Sequence, residues 1–155
     1  MNLGITVTGA ILVAVCASPI VYFVASQKNH NKNLVQSLKK LAAQYDHTIN
    51  QYDICAHMII GLDITSSMLY LIKQKGDEIE QHAISLKEIS AATLETHYAK
   101  NNNLKVIERL GIRFLPKNGH VSDVFWEFYN TDDTFQLNGE LQLTQTWIER
   151  INKVL

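Results

Sequence analysis

The chain has 155 residues with 14 basic and 15 acidic side chains, an average composition typical of one globular domain. The charges are unevenly distributed, because residues 3–25 contain none and 17 of these 23 residues are hydrophobic. Residues 28–52 hold four lysines and one aspartate, a net of +3, and residues 53–155 hold 10 basic and 14 acidic side chains, a net of −4. The acidic balance of this last part argues against nucleic acid as a partner.

Residues 3–25 predict a transmembrane helix within a first domain at residues 1–27. At about 1.5 Å per helical residue the stretch reaches roughly 34 Å, which is enough for a hydrocarbon core of about 30 Å. The lysines that follow favour, by the positive-inside rule, a single-pass protein of the plasma (inner) membrane with its C-terminal domain in the cytoplasm. The residues chosen to mark this span are Leu3, Ala10, Ala14, Ser18 and Ala25.

Two alternatives stay open for the N-terminal segment. Val15-Cys16-Ala17 is a passable signal-peptide cleavage site, which would leave a secreted or periplasmic domain. Thr6, Ala10, Ala14 and Ser18 repeat every four residues, so a second helix could pack closely there and form a homodimer. The two cysteines, Cys16 and Cys55, fall in different parts of the chain, and no intramolecular disulfide is expected.

Residues 28–52 predict an amphipathic linker helix, the second domain. Its apolar side chains follow heptad steps, which is typical either of a dimer seam or of a face that packs on the next domain. These side chains are Leu34, Leu38, Leu41, Tyr45 and Tyr52. Four lysines could contact an anionic lipid surface, each adding about 1 kcal/mol of attraction. They are Lys28, Lys32, Lys39 and Lys40.

Residues 53–155 predict an antiparallel β-domain, so the fold class is α+β. Short apolar runs alternate with turn residues such as Lys75-Gly76-Asp77, which indicates a sandwich or roll of six to seven strands. Helix-like spacing returns near the C-terminus and predicts a closing helix, with Thr134 or Asn138 as its N-cap. The side chains expected in the core and closing helix are Trp126, Phe128, Trp147 and Ile151.

The β-domain resembles the bacterial PH-like and GRAM-like members of the pleckstrin-homology superfold. The resemblance is carried by Ile84-Ser85-Leu86-Lys87-Glu88-Ile89, by Phe125-Trp126-Glu127-Phe128 and by the late Trp147. It implies two antiparallel sheets closed by a C-terminal helix, with seven strands where the sequence gives six clear ones. Either a strand is hidden in residues 86–96, or the fold is a related β-sandwich or roll. Phosphoinositide-binding members carry basic residues between the first two strands, but the loop predicted there, residues 63–67, has none.

Catalytic and metal-binding signatures are missing from the sequence. The six histidines form no H-E-x-x-H or Cys/His cluster, so no catalytic residue, metal site, cofactor or small-molecule substrate is predicted. Glu78 and Glu80 share one strand face, which suggests solvent exposure. Asp132 and Asp133 precede the closing helix, where its N-terminus would favour them. The protein is therefore predicted not to be an enzyme.

The function expected from these features is a membrane-anchored protein that presents a cytoplasmic PH-like domain as an interaction or scaffold module for an unknown protein partner. The partner would bind an exposed strand edge by β-augmentation, or the helix over residues 34–52. The alternative is a sensor of anionic lipid at the membrane surface, which would use the four lysines of the linker helix.

Overall fold

The computed structural model describes residues 3–76, 78–101, 104–118, 123–134 and 136–155, and within these ranges the side chains of residues 3–18, 20, 21, 23, 100, 101, 104 and 105 fall outside the description. The chain divides into two compact units, Met1–Ser37 and Leu38–Leu155. The first unit is helical from Leu3 onward. The second holds the end of that helix, all the strands and a C-terminal helix.

Within the described residues, the elements follow one another as one long helix, seven strands and a final helix. The helices are α1 (Leu3–Ala43) and α2 (Glu140–Asn152). The strands are β1 (Gln51–Cys55), β2 (Met58–Asp63), β3 (Met68–Lys75), β4 (Glu78–Ser85), β5 (Ile89–Asn101), β6 (Leu104–Pro116) and β7 (Val124–Asn130). A single 3₁₀ turn, Leu86–Glu88, separates β4 from β5.

The expected membrane span is corrected by the structure. Among the residues that the structure describes, no helix is long and apolar enough to cross a membrane. The uncharged stretch at residues 3–25 does not form an element of its own, because α1 continues without a break through Lys28, Lys32, Lys39 and Lys40. The predictions of a transmembrane helix, of a single-pass membrane protein and of a plasma (inner) membrane location with a cytoplasmic domain are therefore wrong.

The helix expected over residues 28–52 is the second part of α1 and ends earlier, at Ala43. Asp46 adopts a positive φ of 57°. The backbone N–H groups of Asp46 and His47 donate to the carbonyl oxygens of Ala43 and Ala42, at 3.2 and 3.1 Å. This is the Schellman pattern that closes a helix on a left-handed residue. It turns the chain out of the helix, so that β1 begins at Gln51.

The strands form two antiparallel sheets, a four-stranded sheet in the order β1-β2-β3-β4 and a three-stranded sheet in the order β5-β6-β7. The seventh strand, for which residues 86–96 are one of the two possibilities in the sequence, is found elsewhere. The first apolar run, Ile54 to Leu62, is itself a hairpin in which Cys55 pairs with Met58 across a turn at Ala56 and His57. Ala56 has a positive φ of 50°. Gly76 supplies the positive φ expected in the turn between β3 and β4.

The core lies between the inner faces of the two sheets and α2. Trp126, Phe128, Trp147 and Ile151 are all buried in this core. The Trp147 ring is fully buried, and its indole N–H donates to the carboxylate of Asp53 at 3.0 Å. Arg150 donates to the same carboxylate at 2.6 Å and stacks over the Trp147 ring. The closing helix is thereby joined to β1.

The other face of the four-stranded sheet is covered by the end of α1. Leu38 is fully buried, and a Cβ added at Gly61 would come within 2.7 Å of its side chain. Gly61 on β2 therefore lets this leucine pack directly against the strand. Leu41 is also buried, whereas Tyr45 and Tyr52 are exposed. The heptad spacing thus serves packing within the chain at Leu38 and Leu41.

Candidate interaction site at an open strand edge

The two sheets have four edge strands, and β4 is the most exposed of them. Residues Glu78 to Ala83 of β4 are exposed on both faces of the strand, and only Ile84 is buried. Ile79 keeps 55% of its surface exposed. Edge strands present unpaired N–H and C=O groups, so an exposed edge can accept a further strand.

The outward-facing groups of β4 follow from its pairing with β3. Antiparallel neighbours alternate between residue pairs that exchange hydrogen bonds and pairs that do not. The N–H of Leu86 donates to the carbonyl of Ser67 at 2.9 Å. This bond shows which pairs of residues exchange hydrogen bonds, namely every second pair counted from Ser67 and Leu86. In this register, the residues of β4 that exchange hydrogen bonds with β3 are Glu78, Glu80, His82 and Ile84. They lie opposite Lys75, Lys73, Leu71 and Leu69. The backbone groups of the intervening residues Ile79, Gln81 and Ala83 therefore point away from β3.

The outer edge of β5, in contrast, is occupied by a side chain of α2. The amide nitrogen of Asn152 donates to the carbonyl of Ala92 at 2.9 Å, and its amide oxygen accepts from the N–H of Ala92 at 3.0 Å. These two bonds reproduce the pair that a neighbouring strand would form. The β5 edge is thus closed at Ala92.

A charged cleft lies beside β4, with a volume of about 270 Å³. Its lining residues come from β3, from β4 and from the region of β7 and the turn after it. They are Lys73, Lys75, Glu78, Glu80, Glu127, Asn130, Asp132 and Asp133. Lys73 and Lys75 reach across the cleft, since Lys73 lies 3.2 Å from Glu127 and Lys75 lies 2.5 Å from Asp133.

The ion pairs keep the inner carboxylates of the charged cleft ionised. Burial opposes ionisation of Glu127, but hydrogen bonds from Arg109 and Lys73 outweigh it and lower the pKa of that carboxyl. The hydrogen bond from Lys75 is the largest effect that lowers the pKa of Asp133. Both carboxylates are therefore charged at neutral pH and already paired with cations.

A second polar cluster connects the end of α1 to the sheet. Nδ1 of His47 lies 2.6 Å from the hydroxyl of Tyr70, and Tyr70 is fully buried. Burial raises the pKa of Tyr70, and the negative charge of Asp63 acts in the same direction. Asp63 accepts hydrogen bonds from the backbone of Thr48 and Thr65. This cluster fixes the residues after α1 to β3 and offers no exposed acid or base to a ligand.

Cys55 is a half-buried free thiol at the end of β1. Burial, and then the negative charge of Glu140, raise its pKa to about 11. The thiolate is the reactive form of cysteine, so this residue is a poor nucleophile at neutral pH. In the ranges that the structure describes, no group of three or more His, Cys, Asp or Glu side chains could hold a metal ion.

The sequence-predicted lipid-contact residues are exposed along α1. They are Lys28, Lys32, Lys39 and Lys40. Of the residues chosen to mark a membrane span, Ala25 is exposed, and the side chains of Leu3, Ala10, Ala14 and Ser18 lie outside the described residues, as does that of Cys16.

The site at β4 includes residues that the sequence predicts to be exposed to solvent. The sequence predicts that Glu78 and Glu80 lie on a solvent-exposed strand face, and both are exposed. The sequence predicts Asp133 beside the N-terminus of the closing helix, but it pairs with Lys73 and Lys75, and α2 begins only at Glu140. The signal in the sequence is the low apolar content of β4, in which only Ile79, Ala83 and Ile84 of eight residues are apolar.

Comparison with protein-family models, with curated proteins and with solved structures gives no match.

Proposed function

We propose that residues 51–155 form a protein-interaction module that binds an extended segment of a partner protein as an additional strand beside β4. The observation that carries this proposal is the row of outward backbone groups at Ile79, Gln81 and Ala83, on a strand with six consecutive exposed residues. Main-chain hydrogen bonds supply affinity in this recognition mode, and alternate side chains supply specificity. Each bond contributes about 0.5–1.5 kcal/mol net.

The composition of β4 disfavours pairing with a second copy of itself. Glu78 and Glu80 project from the same face, so a second β4 would bring two further carboxylates to this edge. Like charges on neighbouring strands are destabilising. Natural edge strands use charged residues in this way to prevent self-association. A partner of different sequence is therefore the better occupant.

The fold supporting this module is proposed to be of the PH-like type. Its support is the order of elements, four antiparallel strands, three antiparallel strands and a closing helix. The loop between the first two strands is Ala56-His57 rather than residues 63–67, and it contains neither lysine nor arginine. This composition gives a phosphoinositide headgroup no cation at that loop, which favours a protein partner for the domain.

The strand-addition proposal is tested by placing a proline on the open edge. Proline at Gln81 removes an N–H that points outward and leaves the bonds between β3 and β4 in place. Gln81→Thr is the matched control, since it changes the side chain and keeps the N–H. The probe is a short soluble peptide of alternating threonine and valine, added to the full chain.

Binding of this peptide to the wild type and to Gln81→Thr, but not to Gln81→Pro, supports strand addition. Equal binding to all three proteins, or binding to none of them, contradicts it. Far-ultraviolet circular dichroism of each variant verifies that its fold is intact.

A second candidate function is contact with an anionic lipid surface through Lys28, Lys32, Lys39 and Lys40, supported by the exposure of all four side chains. Vesicles containing phosphatidylserine distinguish the two functions. Salt-sensitive vesicle binding that is lost in Lys39→Glu plus Lys40→Glu, together with no peptide binding at β4, would favour the lipid surface.

A further inference from the structure

We infer that the segment added to β4 carries basic side chains on one face and apolar side chains on the other. This inference rests on the proposed strand addition and names the chemistry of its partner. It is carried by two different faces of β4, one beside the charged cleft and one around Ile79.

The face beside the charged cleft has an excess of negative charge. The cleft and the neighbouring Arg109 contribute three cations and five carboxylates. The cations are already engaged, because Lys73 contacts Glu127 and Asp133, Lys75 contacts Asp133, and Arg109 contacts Glu127. The excess negative charge therefore lies on the carboxylates that contact none of these cations.

The surplus carboxylates are those nearest the open edge and the turn after β7. Within the described part of the chain, Glu78 and Asp132 make no ion pair within 4 Å. Glu80 has only His82, at 3.4 Å, and that contact is an ion pair only when the histidine is protonated. The side chain of Glu80 is 61% exposed, so a cation on an added strand could reach it without displacing Lys73.

Alternation decides which side chains of an added strand meet these carboxylates. Glu78, Glu80 and His82 lie on the same face of β4 as the buried Ile84, whereas Ile79 and Gln81 lie on the opposite face. Side chains of an added strand alternate in the same way, so every second one stands beside Glu78 and Glu80. Lysine or arginine at those positions forms opposite-charge cross-strand pairs.

The opposite face of β4 favours apolar side chains on the added strand. Ile79 exposes 55% of its surface there, and Ala83 on the same face is also exposed. An apolar residue of the added strand beside Ile79 would remove this surface from water, which is favourable by about 25 cal/mol per Å². The partner segment is therefore an extended chain in which basic and apolar residues alternate.

The test uses the full chain and two peptides of equal length, one alternating lysine with valine and the other alternating glutamate with valine. Two cross-strand ion pairs make the lysine peptide bind about tenfold more tightly to the wild type. Glu78→Gln plus Glu80→Gln reduces this preference. Glu149→Gln, which changes an exposed carboxylate on α2, is the matched control and leaves the preference unchanged.

The outcomes separate the basic partner from strand addition itself. Strand addition and a basic partner segment are both supported if the lysine peptide binds preferentially, slows amide exchange at Ile79, Gln81 and Ala83, and does not bind Gln81→Pro. If the two peptides bind equally and slow the same amides, the partner segment is not basic, and strand addition is still supported. Binding of the lysine peptide that is insensitive to Gln81→Pro, with no slowed amide in β4, overturns both.

Discussion

Asn152 of α2 hydrogen-bonds both the N–H and the C=O of Ala92 on β5, at 3.0 and 2.9 Å. A single side chain thus takes the place of a neighbouring strand on that edge. β4 has no equivalent cover in the described part of the chain, since no hydrogen bond reaches the outward groups of Ile79, Gln81 or Ala83. The difference between these two edges directs the proposed partner to β4.

Asn152→Ala is expected to destabilise the domain by about 1–3 kcal/mol, because it leaves the backbone N–H and C=O of the buried Ala92 without partners. The free energy of unfolding in urea measures the loss, and amide exchange at Ala92 should accelerate. Asn118→Ala is the control, since Asn118 is exposed and makes no hydrogen bond in the described part of the chain. A loss no larger than that of the control would contradict the assigned role of Asn152.

Trp147→Ala is expected to cost about 3–5 kcal/mol, because it removes a fully buried ring from the core. Trp147→Phe retains most of the apolar surface and loses the hydrogen bond to Asp53, so its cost should be much smaller, about 1 kcal/mol. Arg150 still contacts Asp53 in that variant. Urea unfolding followed by circular dichroism gives both values, and a Trp147→Ala domain as stable as wild type would refute the closing role of this ring.

Gly111→Ala and Gly76→Ala test two different reasons for a glycine, namely close packing at Gly111 and a positive φ at Gly76. A Cβ at Gly111 would overlap the backbone carbonyl of Trp126, beside a register shift between β6 and β7. Its cost should lie at the upper end of the overpacking range, about 3 kcal/mol or more. Gly76 has open space around its Cα but a φ of +61°, so alanine there should cost only about 1–2 kcal/mol.

The measurement for these glycines is the free energy of unfolding of each variant in urea. Gly76→Asn is the rescue control, because asparagine tolerates the left-handed region better than alanine. A larger loss for Gly76→Ala than for Gly111→Ala would contradict the close approach of β6 and β7.

Glu95 makes part of the stability dependent on pH. Its hydrogen bonds with Arg113 hold the pKa of Glu95 at about 2, below the ordinary 4.5. Because the folded-state pKa is lowered, the ion pair stabilises the fold fully above about pH 4.5, and this contribution is lost as the pH falls toward about 2. Glu95→Gln should therefore be less stable than wild type at pH 7 and nearly equal to it near pH 2.

Urea unfolding between pH 2 and pH 7 tests this expectation, with Glu149→Gln as the control for a carboxylate that makes no ion pair in the described residues. The Arg113 pair is partly exposed and screened by solvent, so the difference at pH 7 should be small. A difference between Glu95→Gln and wild type that stays constant over the whole range would exclude the pair as its cause.

The β-domain was predictable from local patterns, because alternating polarity and turn residues mark most of its strands. The hairpin between β1 and β2 was missed, since its turn at Ala56 and His57 contains no glycine, proline or asparagine. The end of α1 was missed for the same reason, because an aspartate, Asp46, adopts the left-handed conformation there. Both turns place a residue other than glycine at a positive φ, 50° at Ala56 and 57° at Asp46, so no glycine marks them in the sequence.

The candidate site was only partly predictable. The low apolar content of β4 indicates exposure, but the charged cleft joins Lys73 to Glu127 and Lys75 to Asp133, which are 54 and 58 positions apart in sequence. No local pattern encodes such contacts. The predicted membrane span is wrong, since no helix among the described residues is long and apolar enough to cross a membrane.

Residue-resolved amide hydrogen exchange on the full chain tests the open edge most directly. In the free protein, the amides of Ile79, Gln81 and Ala83 should exchange much faster than those of Glu80 and His82, which bond to β3. Addition of the lysine–valine peptide should slow the first three and leave the other two unchanged. Protection of Ile79, Gln81 and Ala83 in the free protein, or no change on adding the peptide, would contradict strand addition at β4.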